Sequence, residues 1–249
     1  MPDHRPPEAV VLPARGWRIS PRHAGLAAAI CWLGFAIMVA LVEANRTGAL
    51  DSLGLLFWRT GADLRPAGPK WLLEAVRDLT ALGGVLLRHL FAIGAIVALL
   101  FLRLRREAVL LVGTVAGGWL VNSLVKNLVG RPRPTIVPHL TEAGGQSFPS
   151  GHSFNSAVVY IAIGLAFAAI SPRRDVRWTV IGVAMALSLV IAWTRVWLGV
   201  HFPSDVIAGW LGGAAWAFTA SALLYRPAKQ VAEQAEDQLE AITPGAEPR

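Results

Sequence analysis

The sequence predicts an all-α polytopic membrane protein, a bundle of six transmembrane helices with short interfacial helices beside them. Three observations carry that prediction. Of 249 residues, 54% are hydrophobic and only 16% charged, with a mean hydropathy of +0.50, whereas soluble domains carry about 25% charge. Apolar runs near the length that crosses ~30 Å of hydrocarbon as a helix recur along the chain. The basic residues behind the net charge of +7 stand in short clusters between those runs, the pattern of a membrane protein rather than of a nucleic-acid-binding surface. The lone cysteine, Cys31, excludes an intrachain disulfide and a cysteine-built zinc site.

Residues 1–22, with Arg5, Arg15, Arg18, Arg22 and several prolines, read as a polar cytoplasmic N-terminal segment. The first span is the uncharged run Ala24–Val42, longer than the ~7–15 apolar residues of a signal peptide. Leu50–Trp58 and Trp71–Leu82 are too short or too charged to cross and read as interfacial or re-entrant helices, with an ordinary connecting loop as the alternative. His89–Leu102 is the second span, starting near Leu79 with Arg88 as an interruption. Ala108–Val129 is the third, with Gly113 and Gly117 at the spacing that lets helices approach closely. Ser153–Ile170 and Trp178–Val200 are the fourth and fifth. Asp205–Tyr225 is the sixth, with Gly209 and Gly213 repeating the small-residue spacing. Residues 23–225 thus form one membrane domain, and 226–249 read as a polar cytoplasmic tail. Trp17, Trp58, Trp71, Trp178 and Trp197 suit interfacial belts.

Six spans leave both termini on one side. That side carries thirteen basic residues, namely Arg5, Arg15, Arg18, Arg22, Arg103, Arg105, Arg106, Arg173, Arg174, Arg177, Arg226, Lys229 and Arg249. The positive-inside rule makes it cytoplasmic. The long 43–88 connection on the opposite side carries six basic and five acidic residues, so it weakens the bias without reversing it.

Polar residues at the mouth of a bundle are costly and mark function. Three clusters converge on the outer face: Lys126 to Pro134, Phe148 to Ser153, and Thr194 to Asp205. Lys126, Arg133 and Arg195 would repel one another without an anion, and arginine matches phosphate oxygens in a bidentate fork. Ser150 and Gly151 open a helix whose free N–H groups favour the same ligand. A neutral imidazole can attack phosphorus while a second imidazole protonates the leaving oxygen. His201, with Asp205 four residues on to orient it, reads as the nucleophile, and His152 as the acid. Asn122 lies one turn before Lys126 and faces either the pocket or a neighbouring helix. Arg131 reads as solvated charge, and His4, His23, His89 and His139 as surface or interfacial.

Lys126-x6-Arg133-Pro134, Pro149-Ser150-Gly151-His152 and Arg195-x5-His201-x3-Asp205 together resemble the three-part signature of the type 2 phosphatidic acid phosphatase superfamily, over about residues 50–225. The resemblance implies a six-helix membrane phosphatase that needs no metal or other cofactor and works through a phosphohistidine. It assigns phosphate binding to Lys126, Arg133, Ser150, Gly151 and Arg195, acid catalysis to His152, nucleophilic attack to His201 and its orientation to Asp205. Thr194 stands where the family commonly has serine and keeps the hydroxyl. The expected function is hydrolysis of a lipid phosphomonoester or pyrophosphate (isoprenoid diphosphate such as undecaprenyl diphosphate, phosphatidylglycerophosphate or phosphatidic acid). The expected setting is a bacterial inner membrane with the site on the periplasmic face, the bilayer and the lipid as partners, and neither nucleic acid nor an obligate protein. A lipid phosphotransferase using the same intermediate is the alternative. A transporter is disfavoured because the polar clusters sit at one end rather than along a path, and a haloperoxidase because those relatives are soluble.

Overall fold

The computed structural model describes residues 20–171 and 173–242. Most of the expected N-terminal segment, including Trp17 and His4, lies outside the described residues. Among those described, eight helices follow in chain order: α1 (Pro21–Glu43), α2 (Gly48–Leu56), α3 (Lys70–Ala81), α4 (Val85–Phe101), α5 (Arg105–Val129), α6 (Gly151–Ala168), α7 (Arg174–Trp197) and α8 (Pro203–Ile242). A two-stranded antiparallel hairpin, β1 (Arg59–Thr60) with β2 (Arg65–Pro66), lies between α2 and α3. Helices α1, α5, α6, α7 and the Pro203–Leu223 part of α8 are each long and apolar enough to cross a membrane. Helices α3 and α4 meet at a 49° bend and pass the same test as one broken span, which makes six.

The two short segments expected at the interface are helical, as α2 and α3. The second span is corrected at its start. It does not run on from Leu79 but breaks at Leu82-Gly83-Gly84, with Gly84 capping α4. Neighbours press closely on the break: a Cβ on Gly83 would stand 2.5 Å from Ile191 Cγ2 and 2.9 Å from Ser156 Oγ. Hydropathy cannot register it, because apolar residues flank both sides. Residues 226–242 of the expected tail continue α8 without interruption.

Local chemistry sets the other ends. Ser20 caps α1, accepting from the His23 N–H at 3.3 Å, and Pro21 fills the first helical position. Helix α5 stops at Gly130, whose φ of 63° is the left-handed geometry that glycine adopts without strain. Ser150 caps α6, accepting from the Ser153 N–H at 3.4 Å and the Ser153 hydroxyl at 2.9 Å.

Helix α6 is the centre of the bundle, buried along most of its length and packed on α5, α7 and α8, while α1 lies along α8. The outer face of α1 exposes Leu26, Ile30, Leu33 and Ile37, a helical stripe that suits acyl chains. The small-residue pattern on α8 holds, since a Cβ on Gly209 would stand 2.7 Å from the Ser150 carbonyl. On α5 it holds at Gly117 and is corrected at Gly113. Gly113 faces open space, and the close approach falls at Gly117 and Gly118, against Trp216 and Val158. Indole N–H groups tie the helices together: Trp32 donates to Thr219 Oγ1 at 3.0 Å, Trp210 to Ser188 Oγ at 2.9 Å and Trp216 to the Thr114 carbonyl at 2.8 Å. Trp197 is no belt residue. It is buried against Val76, Leu198 and Val200, whereas Trp71 and Trp178 are exposed as expected.

Candidate active site

One end of the bundle gathers the C-termini of α5 and α7, the N-termini of α6 and α8, and the 130–149 loop. The alternating course of the spans brings the three sequence clusters there, and backbone bonds lock them. The Ser150 N–H donates to the Asp205 carbonyl at 3.0 Å, and the Ser147 N–H to the Arg131 carbonyl at 2.7 Å.

His201 sits in the α7–α8 turn and is almost wholly buried. Its Nε2 lies 3.1 Å from Arg133 Nη1. A guanidinium only donates, so Nε2 carries a lone pair and the ring proton is on Nδ1. On that side Asp205 Oδ2 stands 3.4 Å away, beyond a good hydrogen bond. Ser147 fills the gap: its Oγ is 3.3 Å from Nδ1 and donates a short bond to Asp205 Oδ2. The Phe202 N–H also donates to Asp205 Oδ2, at 3.0 Å. Burial pushes His201 down to about 4 despite the nearby Asp205 carboxylate, with the Arg133 and Arg195 charges adding to the fall. At neutral pH the imidazole is therefore free base, the form able to act as a nucleophile.

The expected phosphate binders lie at the same end of the bundle, and Arg133 contacts the ring. Arg133 donates to the carbonyls of Val200 at 2.7 Å, Gly144 at 2.7 Å and Gly145 at 3.1 Å. Lys126 Nζ donates to the carbonyls of Gln146 at 2.8 Å and Pro149 at 3.0 Å. Both cations thus hold the loop that carries Ser147 and Ser150. Arg195 is buried and donates to Thr80 Oγ1 at 2.9 Å, while its Nε has no partner among the described residues. Gly151 and His152 form the first turn of α6. A Cβ on Gly151 would lie 3.6 Å from Asn122 Nδ2, so Asn122 faces the second cluster.

Arg131 is corrected. It is not solvated but pairs with Asp51 at 2.8 Å and Asp205 at 2.6 Å, donates to Ser204 Oγ at 2.7 Å, and lies 4.1 Å from the Phe202 ring centre. Ser204 in turn donates to Asp51 from its N–H at 3.0 Å and its hydroxyl at 2.8 Å. Helix α2 is thereby tied to the start of α8. Arg59 of β1, its guanidinium lowered by burial, donates to the Trp197 carbonyl at 2.9 Å and caps α7. His139 is bonded too, Nε2 lying 2.8 Å from the Pro134 carbonyl.

Sequence reasoning missed Ser147, Thr80, Asp51 and the pairing of Arg131. Only Ser147 had a local signal, standing two residues before the Pro149–His152 motif. Among the described residues no group of three or more His, Cys, Asp or Glu is placed to hold a metal ion.

The pattern of the PAP2 superfamily matches residues 107–228. Phosphatidylglycerophosphatase B of Bacillus subtilis is 31% identical over 183 residues, covering 70% of this chain and 85% of its own. A lipid A 1-phosphatase of Rhizobium etli is 35% identical over 121 residues, covering 45% of this chain and 47% of its own. The crystal structure of a transmembrane PAP2-type phosphatidylglycerolphosphate phosphatase from Bacillus subtilis superposes with a TM-score of 0.67 at 25% identity, over 83% of this chain and 96% of that one.

Proposed function

The chain belongs to the PAP2 superfamily, and from that premise we propose that it hydrolyses a lipid phosphomonoester or diphosphate through a phosphohistidine on His201. The single observation that carries the reading is the environment of His201: a buried neutral ring with its Nε2 lone pair turned to Arg133 and its Nδ1 backed by Ser147 and Asp205. Nε2 attacks phosphorus, and the bond from phosphorus to the leaving oxygen breaks. His152 gives that oxygen its proton. Lys126, Arg133, Arg195, the Ser150 hydroxyl and the Gly151 N–H bind the non-bridging oxygens and stabilise the charge that grows on them. Water then attacks the phosphohistidine, gives a proton to His152, and releases inorganic phosphate. Relatives named for phosphatidylglycerophosphate and lipid A 1-phosphate support a lipid substrate.

Residues 23–225 are the catalytic domain, and 1–22 and 226–249 face the cytoplasm. The site then opens on the periplasmic side of a bacterial inner membrane, where the lipid tail stays in the bilayer while the phosphate enters.

The test is phosphate release by purified protein in detergent, across lipid monophosphates and diphosphates, for wild type and His201→Ala. The wild type should release stoichiometric phosphate and form an acid-labile phosphoenzyme. The variant should do neither, with a loss on the order of 10⁴-fold or more, as when a nucleophile is removed. Retention of a few per cent of activity overturns the assignment. Transfer to an added alcohol without phosphate release would make the protein a phosphotransferase.

A further inference from the structure

Among the described residues, Arg88 is the buried charged residue that the chemistry above leaves unused. It lies on the inward face of α4 with Ala92, Ala95 and Leu99, and is only 6% exposed. Its one hydrogen bond among the described residues runs from Nη1 to the Gly83 carbonyl at 3.0 Å. No carboxylate pairs with it among those residues. A guanidinium buried in a membrane bundle without a counter-ion is costly, and such a residue marks a ligand.

Its position says which part of the ligand. Gly83 packs against the proposed acid, since a Cβ there would stand 3.2 Å from His152 Cδ2. Arg88 and His152 therefore contact the same residue. The same turn holds Arg195, because Thr80 takes the Arg195 bond and its carbonyl accepts the Gly83 N–H at 3.0 Å. Tyr160 of α6 pins the turn by donating to the Leu82 carbonyl at 2.7 Å. The cations thus divide. Arg133 touches the nucleophile, and Arg88 stands at the turn against the acid, with Arg195 held by that turn. In-line displacement sends the leaving group away from His201, towards His152. A leaving alcohol has no charge for a guanidinium to meet there, whereas a leaving phosphate has at least one.

We propose that Arg88 binds the second phosphate of a lipid diphosphate, which makes lipid diphosphates the preferred substrate class of this site. The proposal rests on the phosphatase reading above. Nε2 of His201 bonds to the terminal phosphorus, and the bridging P–O bond breaks with its electron pair on the lipid monophosphate. His152 protonates that oxygen as Arg88 binds the non-bridging oxygens of the departing group. Water hydrolyses the phosphohistidine as before.

A matched pair, farnesyl diphosphate and farnesyl monophosphate, keeps the tail constant. With the full chain in detergent, wild type should favour the diphosphate in kcat/KM by ~10-fold or more, and Arg88→Gln should lower the diphosphate-to-monophosphate ratio by ~30-fold, the scale of a lost charge-assisted contact. Arg88→Lys, which keeps the charge without the fork, should fall between them. An equal loss on both substrates, or a wild-type preference for the monophosphate, overturns the assignment while the phosphatase reading stands. Should Arg88→Gln not fold, inhibition of the wild type decides: pyrophosphate should compete more tightly than orthophosphate by ~10-fold, and equal inhibition overturns the proposal. A wild type that releases phosphate from neither substrate removes the phosphatase reading, and the Arg88 assignment with it.

Discussion

Arg133 Nη1 lies 3.1 Å from His201 Nε2, so the cation proposed to bind phosphate also fixes the tautomer of the imidazole beside it. The ring is held with its lone pair outward and its proton inward, and burial pushes it down to about 4. In the unfolded chain an imidazole titrates near 6.5. A pKa depressed by folding means that the unfolded state binds the extra proton first as pH falls. The stability contribution is therefore complete above about pH 6.5 and is lost as pH drops through the folded value. In ¹⁵N-histidine spectra, with His201 assigned by its loss in His201→Gln, the ring should remain neutral and Nδ1-protonated down to about pH 5. An imidazolium signal at pH 6.5 would contradict this account.

Ser147 stands behind the proposed nucleophile, where it would position the ring. It bridges Nδ1 and Asp205 where the direct separation is 3.4 Å. Ser147→Ala leaves Asp205 without that donor and His201 Nδ1 without its near neighbour. Losing a hydrogen bond to a charged group costs about 1.5–3 kcal/mol, so kcat should fall roughly 10–100-fold with KM changed little. A residue that only packs would not move the His201 titration. Ser147→Ala should move it, and Ser147→Thr should restore most of kcat. An unchanged kcat in the alanine variant would remove Ser147 from the relay.

Arg131, Asp51, Ser204 and Asp205 form a buried ionic network that ties α2 to α8. Breaking a buried pair from one side leaves an uncompensated charge, at about 3–5 kcal/mol. Asp51→Ala should lower thermal stability in detergent by that order. Arg131→Met should cost a similar amount, and the two together should cost less than the sum, with a coupling of ~1 kcal/mol or more. Strict additivity would mean that the pair is not energetically linked.

The sequence exposed the chemistry where spacing is short and hid it where pairing is long-range. Lys126 with Arg133, Ser150 with His152, and His201 with Asp205 stand within a few residues of each other, so their pattern survives in one dimension. Asp51 looks like a blemish in a short apolar run, because its partners Arg131 and Ser204 lie 80 and 153 residues away. Arg131 looks solvated for the same reason. The α3–α4 break is invisible to hydropathy because it falls at Leu82-Gly83-Gly84, with apolar residues on both sides and no polar residue to mark it. On α5 spacing found Gly117 but paired it with Gly113 rather than Gly118, since the rotation of a helix against its neighbours is decided by packing with Trp216 and Val158.

Sidedness links the charge pattern to the substrate leaflet. The short connections Arg103–Arg106 and Arg173–Arg177 lie at the end of the bundle opposite His201, because α4 and α6 lead away from the site and α5 and α7 return to it. Short basic loops are retained in the cytoplasm, so the site end should face outward. Glu142, in the loop beside the site, and Asp175, at the start of α7, are both exposed and suit single-cysteine probes in a Cys31→Ser background. A membrane-impermeant thiol reagent applied to intact bacterial spheroplasts should label Glu142→Cys and spare Asp175→Cys until the membrane is permeabilised. Labelling of position 175 alone would invert the topology and place the phosphate on the cytoplasmic leaflet. The proposed chemistry at His201 would be unaffected, but the lipid pool it draws on would change.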